Sequence, residues 1–134
     1  MTNPTATSTD QQPSTRFPTL TAWMTEWFLP TWQHRLDQSQ IWCAQWWQHA
    51  EAIARLEAMW RAWEALRLDG ALGMATWWRD VADYQMLQLL DQNGPFAACR
   101  GGHTDDDALF LTGDPAPPGW FDPAPAPAPE PAWT

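Results

Sequence analysis

Four side chains in this sequence have the chemistry of transition-metal ligands: Cys43, His49, Cys99 and His103. Thiolate sulfur and imidazole nitrogen are the donors that structural zinc takes. Their order is C-x5-H, a stretch of 49 residues, then C-x3-H. The common zinc fingers do not have that spacing, and no Cys-x2-Cys is present. The plainer reading makes Cys43 a small buried hydrophobe and His49 the end of a helical turn, so the expectation from spacing is no metal and no cofactor. Cys43 and His49 also have the types of a nucleophile and its base. Six residues apart, they would fall on different faces of a continuous helix. Catalytic pairs are set by tertiary structure, however, so spacing neither supports nor excludes one. Asp80 and Asp83, with Arg79, could pair carboxylates for acid–base work; alternatively they are solvated helix-face and capping residues. HExxH, GxSxG, GxxxxGKS/T and GxGxxG are all missing, and Gly70 and Gly73 are too few for a phosphate loop. No catalytic residue is marked, and a non-enzyme is expected.

Tryptophan is the other chemically distinctive residue. Of the 12 in the chain, ten lie between Leu20 and Cys99: Trp23, Trp27, Trp32, Trp42, Trp46, Trp47, Trp60, Trp63, Trp77 and Trp78. A domain of about 80 residues is marginal unless its core is rich, and each buried aromatic removes about 150–250 Å² from water. Ten are more than such a domain hides easily. A surplus facing outward would be a binding surface, since Trp and Arg dominate protein interfaces. The candidates are Trp46, Trp47, Trp77, Trp78 and Arg79, with Phe110, Trp120 and Phe121 in the C-terminal stretch. Arginine interleaved with tryptophan (Arg55, Trp60, Arg61, Trp63, Arg67, Trp77, Trp78, Arg79) could also stack single-stranded bases. Glu51, Glu57 and Glu64 on the same helix weaken that field, and core tryptophans beside salt-bridged or stacked arginines explain the pattern as well.

The elements that must position these residues are helical. Thr19 or Thr21 can cap a first helix whose apolar pairs, Trp23 with Trp27 and Met24 with Phe28, are four apart. Pro30 should end or kink it. Asp37 to Gln40 reads as a loop, and Ile41 to His49 as one or two helical turns. Glu51 to Leu68 is the strongest element: Ile53, Leu56, Trp60, Trp63 and Arg67 form a stripe that Ala52, Met59 and Leu66 widen. Glu51–Arg55 and Glu57–Arg61 are favourable i,i+4 pairs on its solvent side. Asp69-Gly70 and Gly73 break the chain. Thr76 can cap a helix through Trp77, Trp78, Val81 and Ala82, with Asp83 interrupting it or capping a continuation through Met86, Leu87, Leu89 and Leu90. Asn93-Gly94-Pro95 is a closing turn, with Phe96 and Cys99 just beyond. The predicted fold is all-α, four or five short helices packed around the central amphipathic helix at about 51–68. Residues 1–18 form a disordered tail, 19–100 the domain, and 101–134 an acidic Pro/Ala-rich disordered tail.

The formal charge of −9 is uneven. Leu20 to Arg100 holds nine acids and six arginines, while the stretch beyond holds six acids and no base. Such a chain repels nucleic-acid phosphates and anionic lipid, which disfavours both as partners through bulk charge. There is no lysine, a composition that fits a high-GC genome. No segment is long or apolar enough to span a membrane, the N-terminus lacks the pattern of a signal peptide, and two cysteines make no disulfide framework. A reducing cytoplasm is the expected setting. The tail joins Asp105 to Asp107, an apolar patch at Leu109, Phe110 and Leu111, and a Pro-Ala run from Pro115 to Pro131 that favours solvated polyproline II.

The text WCAQWWQHAEAIARLEAMWRAWEALRLD, then GMATWWRDVAD, then LLDQNGPFAAC, from Trp42 to Cys99, resembles a bacterial family of small tryptophan-rich proteins that carries only a domain-of-unknown-function label. That family occurs in high-GC Gram-positive bacteria and their mobile elements. Its members usually have a proline where this chain has Ala50, and often histidines where it has Val81 and Gln85. The resemblance implies no known activity, cofactor or partner. Together these readings lead to a non-enzymatic protein-interaction domain with an unknown protein partner. Single-stranded nucleic-acid binding is the alternative, and an unrecognised enzyme a more distant third.

Overall fold

Where apolar residues recur every three or four positions the chain can run as an ordinary α-helix; a recurrence of five needs a wider turn. Both patterns occur in the computed structural model, which describes residues 14–104, 111–125 and 127–132. Helix α1 begins as Leu20–Trp23, widens into a π-turn over Met24–Phe28 and ends as Leu29–Thr31. Its buried residues are Trp23, Met24 and Phe28, so the step from Trp23 to Phe28 is five. The Leu29 N–H reaches back to the Met24 carbonyl, closing the π-turn directly before Pro30. Pro30 has no N–H to give the preceding turn, and its ring crowds the carbonyl four residues back. A widened turn accommodates both. Pro30 was expected to end or kink the helix; it sits inside the final turn, which stops at Trp32. Thr19 caps the start, its hydroxyl accepting from the Ala22 N–H at 3.1 Å.

Helix α2, Ala50–Leu66, is the centre of the domain. It buries Ala52, Leu56, Met59, Trp63 and Glu64, which sets its core face at 52/56/59/63. Ile53, expected on the stripe, is exposed, and Trp60 is half-buried at its edge, so the sequence-derived phase was turned by part of a residue. The two predicted i,i+4 pairs form, Arg55–Glu51 at 2.8 Å and Arg61–Glu57 at 3.2 Å.

Helix α3 runs Gly73–Thr76, widens into a π-turn over Trp77–Ala82 and continues as Asp83–Leu90. It buries Gly73, Trp77, Ala82, Met86, Leu89 and Leu90, with the single step of five falling inside the π-turn. The wider turn keeps both halves of the helix on one face. Thr76 and Asp83 therefore lie within the helix and cap nothing, and Gly73, expected as a breaker, starts it. A Cβ on Gly73 would run into the Leu66 carbonyl oxygen, so only glycine lets α3 approach the end of α2 this closely. Between α1 and α2 a single 3-10 turn covers Trp46–Gln48, and another, Ala97–Cys99, follows α3. Among the described residues there is no β-strand, only one antiparallel bridge between Gln40 and Asp91, where the Ile41 N–H donates to the Leu90 carbonyl at 2.9 Å.

The aromatic core is continuous. Trp23 stacks with Phe28 (5.1 Å between ring centres) and meets Trp77 edge-on (6.1 Å), while Trp27 packs on Trp63 at 4.9 Å. The packed unit exceeds the predicted 19–100 at both ends. Phe17 is buried against Trp63, and the N–H groups of Arg16 and Phe17 donate to the Glu64 carboxylate at 2.8 and 3.0 Å. At the other end His103 is in contact with Cys43.

Candidate metal centre and binding surface

Two irregular segments carry both cysteines and two of the three histidines, His49 and His103. Cys43 follows Ile41, which is buried and pinned to the end of α3 by the Leu90 carbonyl. The 3-10 turn then reverses the chain so that His49 stands at the N-cap of α2, its carbonyl accepting from Ile53 at 3.0 Å. After α3 the chain turns back at Gly94, whose N–H donates to the Asp91 carbonyl at 2.8 Å. That turn buries Phe96 and sets Cys99 at the end of the second 3-10 turn; Gly102, with φ +122°, redirects the chain so that His103 points back.

All four side chains converge. Cys43 Sγ is 3.3 Å from His103 Nδ1, and Cys99 Sγ is 3.5 Å from His49 Nε2 and 3.9 Å from His103 Nδ1. No two of the four ligand atoms are more than 4.8 Å apart. Both thiols are buried, neither is in a disulfide, and His103 is half-buried. The Phe96 ring meets His49 edge-on at 5.0 Å and Trp42 edge-on at 5.0 Å. Chain spacing gave no sign of this convergence, because the turns at 46–48 and 91–103 were not legible as a means of bringing the segments together. The Cys43–His49 pair read as nucleophile and base is part of this cluster, and Cys43 is 2% exposed. A nucleophilic thiol has to meet its substrate, and this one is covered by protein.

The other candidate for acid–base chemistry lies on the exposed side of α3. Asp80 forms an exposed ion pair with Arg79 at 2.8 Å. The hydrogen bond from Arg79 lowers the Asp80 carboxyl below its ordinary value, and the same bond raises the Arg79 guanidinium. Asp83 is exposed on the first turn of the last segment of α3.

The interaction candidates divide sharply. Trp77 is fully buried, its Nε1–H donating to the Met59 carbonyl at 2.9 Å, and Trp46 is buried. Both are core residues, a correction to their placement on a binding face: each lies on the inner side of its turn. Trp78 is half-buried against Trp77 and Trp27. Trp47 is exposed (54%), as are Arg79, Trp120 and Phe121. Phe110 lies outside the described residues. The arginines proposed to form a cationic face are matched by acids: Arg55 with Glu51, Arg61 with Glu57, Arg67 with Glu64 and Arg79 with Asp80.

Sequence reasoning missed two features. One is a shallow groove of about 160 Å³ lined by Leu29, Trp32, His34, Leu36, Trp42, Met86 and Leu90. It forms where the chain leaving α1 crosses the end of α3, and the His34 ring stacks on Trp32 at 3.9 Å beside it. The apolar character of Leu29, Trp32 and Leu36 was visible, but not their meeting with Met86 and Leu90. The other is Glu64, a buried carboxylate whose spacing to Trp60 and Arg67 on α2 was a legible signal.

The comparisons with known proteins add the family. The profile of a domain of unknown function, DUF4913, matches residues 17–118. The chain belongs to the DUF4913 family. No curated protein and no solved structure matches it. The matched span starts at Phe17, the first of the described residues of the DUF4913 chain that is buried in the core. No helix among its described residues is long and apolar enough to cross a membrane.

Proposed function

We propose that this DUF4913 chain is a non-enzymatic protein-interaction domain, an adapter or accessory factor that binds its partner through the groove between α1 and α3. The observation that carries the reading is an apolar groove, lined among others by Trp32, Trp42, Met86 and Leu90, that the described residues leave open. Small-molecule sites run at about 300–1,000 Å³. A groove of about 160 Å³ suits one anchoring side chain of a partner better than a substrate. Aromatic residues at the centre of an apolar patch are the usual anchors of such contacts. The pairing of arginines with acids and the net charge of −9 speak against the nucleic-acid alternative. The cytoplasm of a bacterium, with a plasmid, phage or conjugative element as the genetic setting, is the context that the family resemblance suggests.

The test is cross-linking mass spectrometry with the full chain in cells, followed by affinity measurement with the partner recovered. Leu36→Asp and Trp32→Ala, both at the groove rim, should weaken binding at least tenfold while the helical circular dichroism stays unchanged. Binding that survives both substitutions and is lost with Trp47→Ala, or with Trp120→Ala and Phe121→Ala together, would place the partner elsewhere and end the groove reading.

A further inference from the structure

The geometry points to a structural zinc site formed by Cys43, His49, Cys99 and His103. The chain contains only two cysteines and three histidines. Both cysteines and two of the histidines, drawn from segments about fifty residues apart, place one ligand atom each within 4.8 Å of all the others. Unrelated core cysteines and capping histidines have no reason to meet at one point.

The spacing of the atoms is that of a coordination shell. Tetrahedral zinc holds sulfur at about 2.3 Å and imidazole nitrogen at about 2.0–2.1 Å, which gives ligand–ligand edges of about 3.3–3.8 Å. Three of the four sulfur–nitrogen separations measure 3.3, 3.5 and 3.9 Å. The widest separation in the set, at most 4.8 Å, closes by about an ångström, the adjustment of a side-chain rotation. Nδ1 is the inward nitrogen of His103 and Nε2 that of His49, so each ring presents one nitrogen to the centre.

Charge and burial agree with a divalent ion. A buried charge must be neutralised where it sits, and two thiolates with two neutral imidazoles balance a dication without any further counter-ion. An N₂S₂ donor set of tetrahedral shape selects zinc over the hard cations magnesium and calcium. Four protein ligands leave no open position, which distinguishes a structural from a catalytic site. His49 is held from outside by the edge of Phe96, itself packed on Trp42, so the shell is oriented by the core.

The metal would fasten the parts of the fold that have least regular structure. Residues 41–49 and 96–104 each contain only a single 3-10 turn. Zinc joins them across the N-terminus of α2 and closes a loop that encloses α2 and α3. Because the ligand set is assembled only in the folded chain, metal binding adds its free energy to folding.

The experiment is elemental analysis of the untagged full chain purified without chelator from zinc-supplemented medium, with thiol titration of the same sample. The expected result is about one zinc per chain, with both thiols unreactive until a chelator is added. Exchange with cobalt(II) should give the thiolate-to-metal charge-transfer and intense d–d absorption of a tetrahedral thiolate site. Because Cys43→Ser and Cys99→Ser can unfold the domain, the decisive pair is at the half-buried His103. His103→Ala should lose metal under a competing chelator that leaves the parent loaded, and His103→Cys, which supplies a fourth ligand again, should restore the zinc and the cobalt spectrum. Substoichiometric zinc in a well-folded parent would overturn the proposal. So would a Cys43–Cys99 disulfide in the purified protein, stoichiometric iron in place of zinc, or zinc retained equally by the parent and His103→Ala. None of these results depends on the groove, and loss of partner binding on groove substitution leaves the metal content as it is.

Discussion

Glu64 allows the sharpest test of how the N-terminal segment is held. Its carboxylate is 8% exposed and accepts from four donors: the backbone N–H groups of Arg16 (2.8 Å) and Phe17 (3.0 Å), Trp60 Nε1–H (3.0 Å) and Arg67 Nε–H (3.0 Å). Burial, the largest single influence, raises its pKa, but the four hydrogen bonds together outweigh burial and leave the carboxyl below its ordinary value of 4.5. The perturbation is Glu64→Gln, which keeps the shape, removes the charge and turns one acceptor into a donor facing donors. A hydrogen bond to a charged group contributes about 1.5–3 kcal/mol, and an orphaned buried donor costs about 1–3 kcal/mol. Weakening two of the four bonds gives an expected loss of about 2–4 kcal/mol, which for a domain of this size lowers Tm by roughly 10–30 °C. The assay is thermal and urea unfolding followed by circular dichroism and tryptophan fluorescence between pH 7 and pH 3. Because the folded pKa is depressed, the parent holds the full contribution above the ordinary glutamate value and loses it as pH falls through the folded value. The gap between parent and variant should therefore be constant near neutrality and close on acidification below about pH 4.5. A variant that melts within 2 °C of the parent at pH 7, or a gap that stays constant down to pH 3, would show that the Glu64 carboxylate does not hold the N-terminal segment. Phe17→Ala offers a cross-check: since Phe17 and Glu64 hold the same segment, their combined effect should fall short of the sum of the two.

The remaining predictions concern the core and its margin. Trp63→Ala should cost about 3–5 kcal/mol and Trp60→Ala clearly less, since Trp63 is 2% exposed and Trp60 lies half-buried at the edge of the core; urea midpoints in the reverse order would show that the face of α2 has been misplaced. Gly73→Ala should destabilise by about 1–3 kcal/mol, because the added methyl meets the backbone of Leu66, which cannot rotate away; an unchanged urea midpoint would refute that contact. Trp47→Ala, at an exposed position on the 3-10 turn, should stay within about 0.5 kcal/mol of the parent, and a larger loss in calorimetry would mean that Trp47 is covered.

The helical class, the dominance of the central helix and the turns at Asp69-Gly70 and Asn93-Gly94-Pro95 were legible because they depend on local signals: apolar period, i,i+4 charge pairs and chain-breaking residues. The two π-turns were legible in principle, as five-residue steps from Trp23 to Phe28 and from Trp77 to Ala82. A search for steps of three and four passes over them. The phase of α2 was mistaken because Trp60 and Ile53 count as apolar in any pattern, whereas burial was decided by which neighbours arrived. Trp60 keeps its Nε1–H on Glu64 at the rim, and Trp63 meets Phe17, Trp23 and Trp27.

Residue types and their local spacing are enough to set the inventory and the rods: an all-α chain, a long amphipathic helix, and a supply of tryptophan from which a core can draw. Each of these follows from residue types within a few turns of one another. Only the tertiary structure decided which tryptophans are interior, that a groove opens between the exit of α1 and the end of α3, and that Cys43 and His49 meet Cys99 and His103. The physical reason is the path between them. Two helices and the reversals at 67–72 and 91–95 separate the two halves of that ligand set, and a small change in any crossing angle would move one half by several ångströms. Spacing along the chain carries no information about such a meeting, which exists only once α2 and α3 have packed.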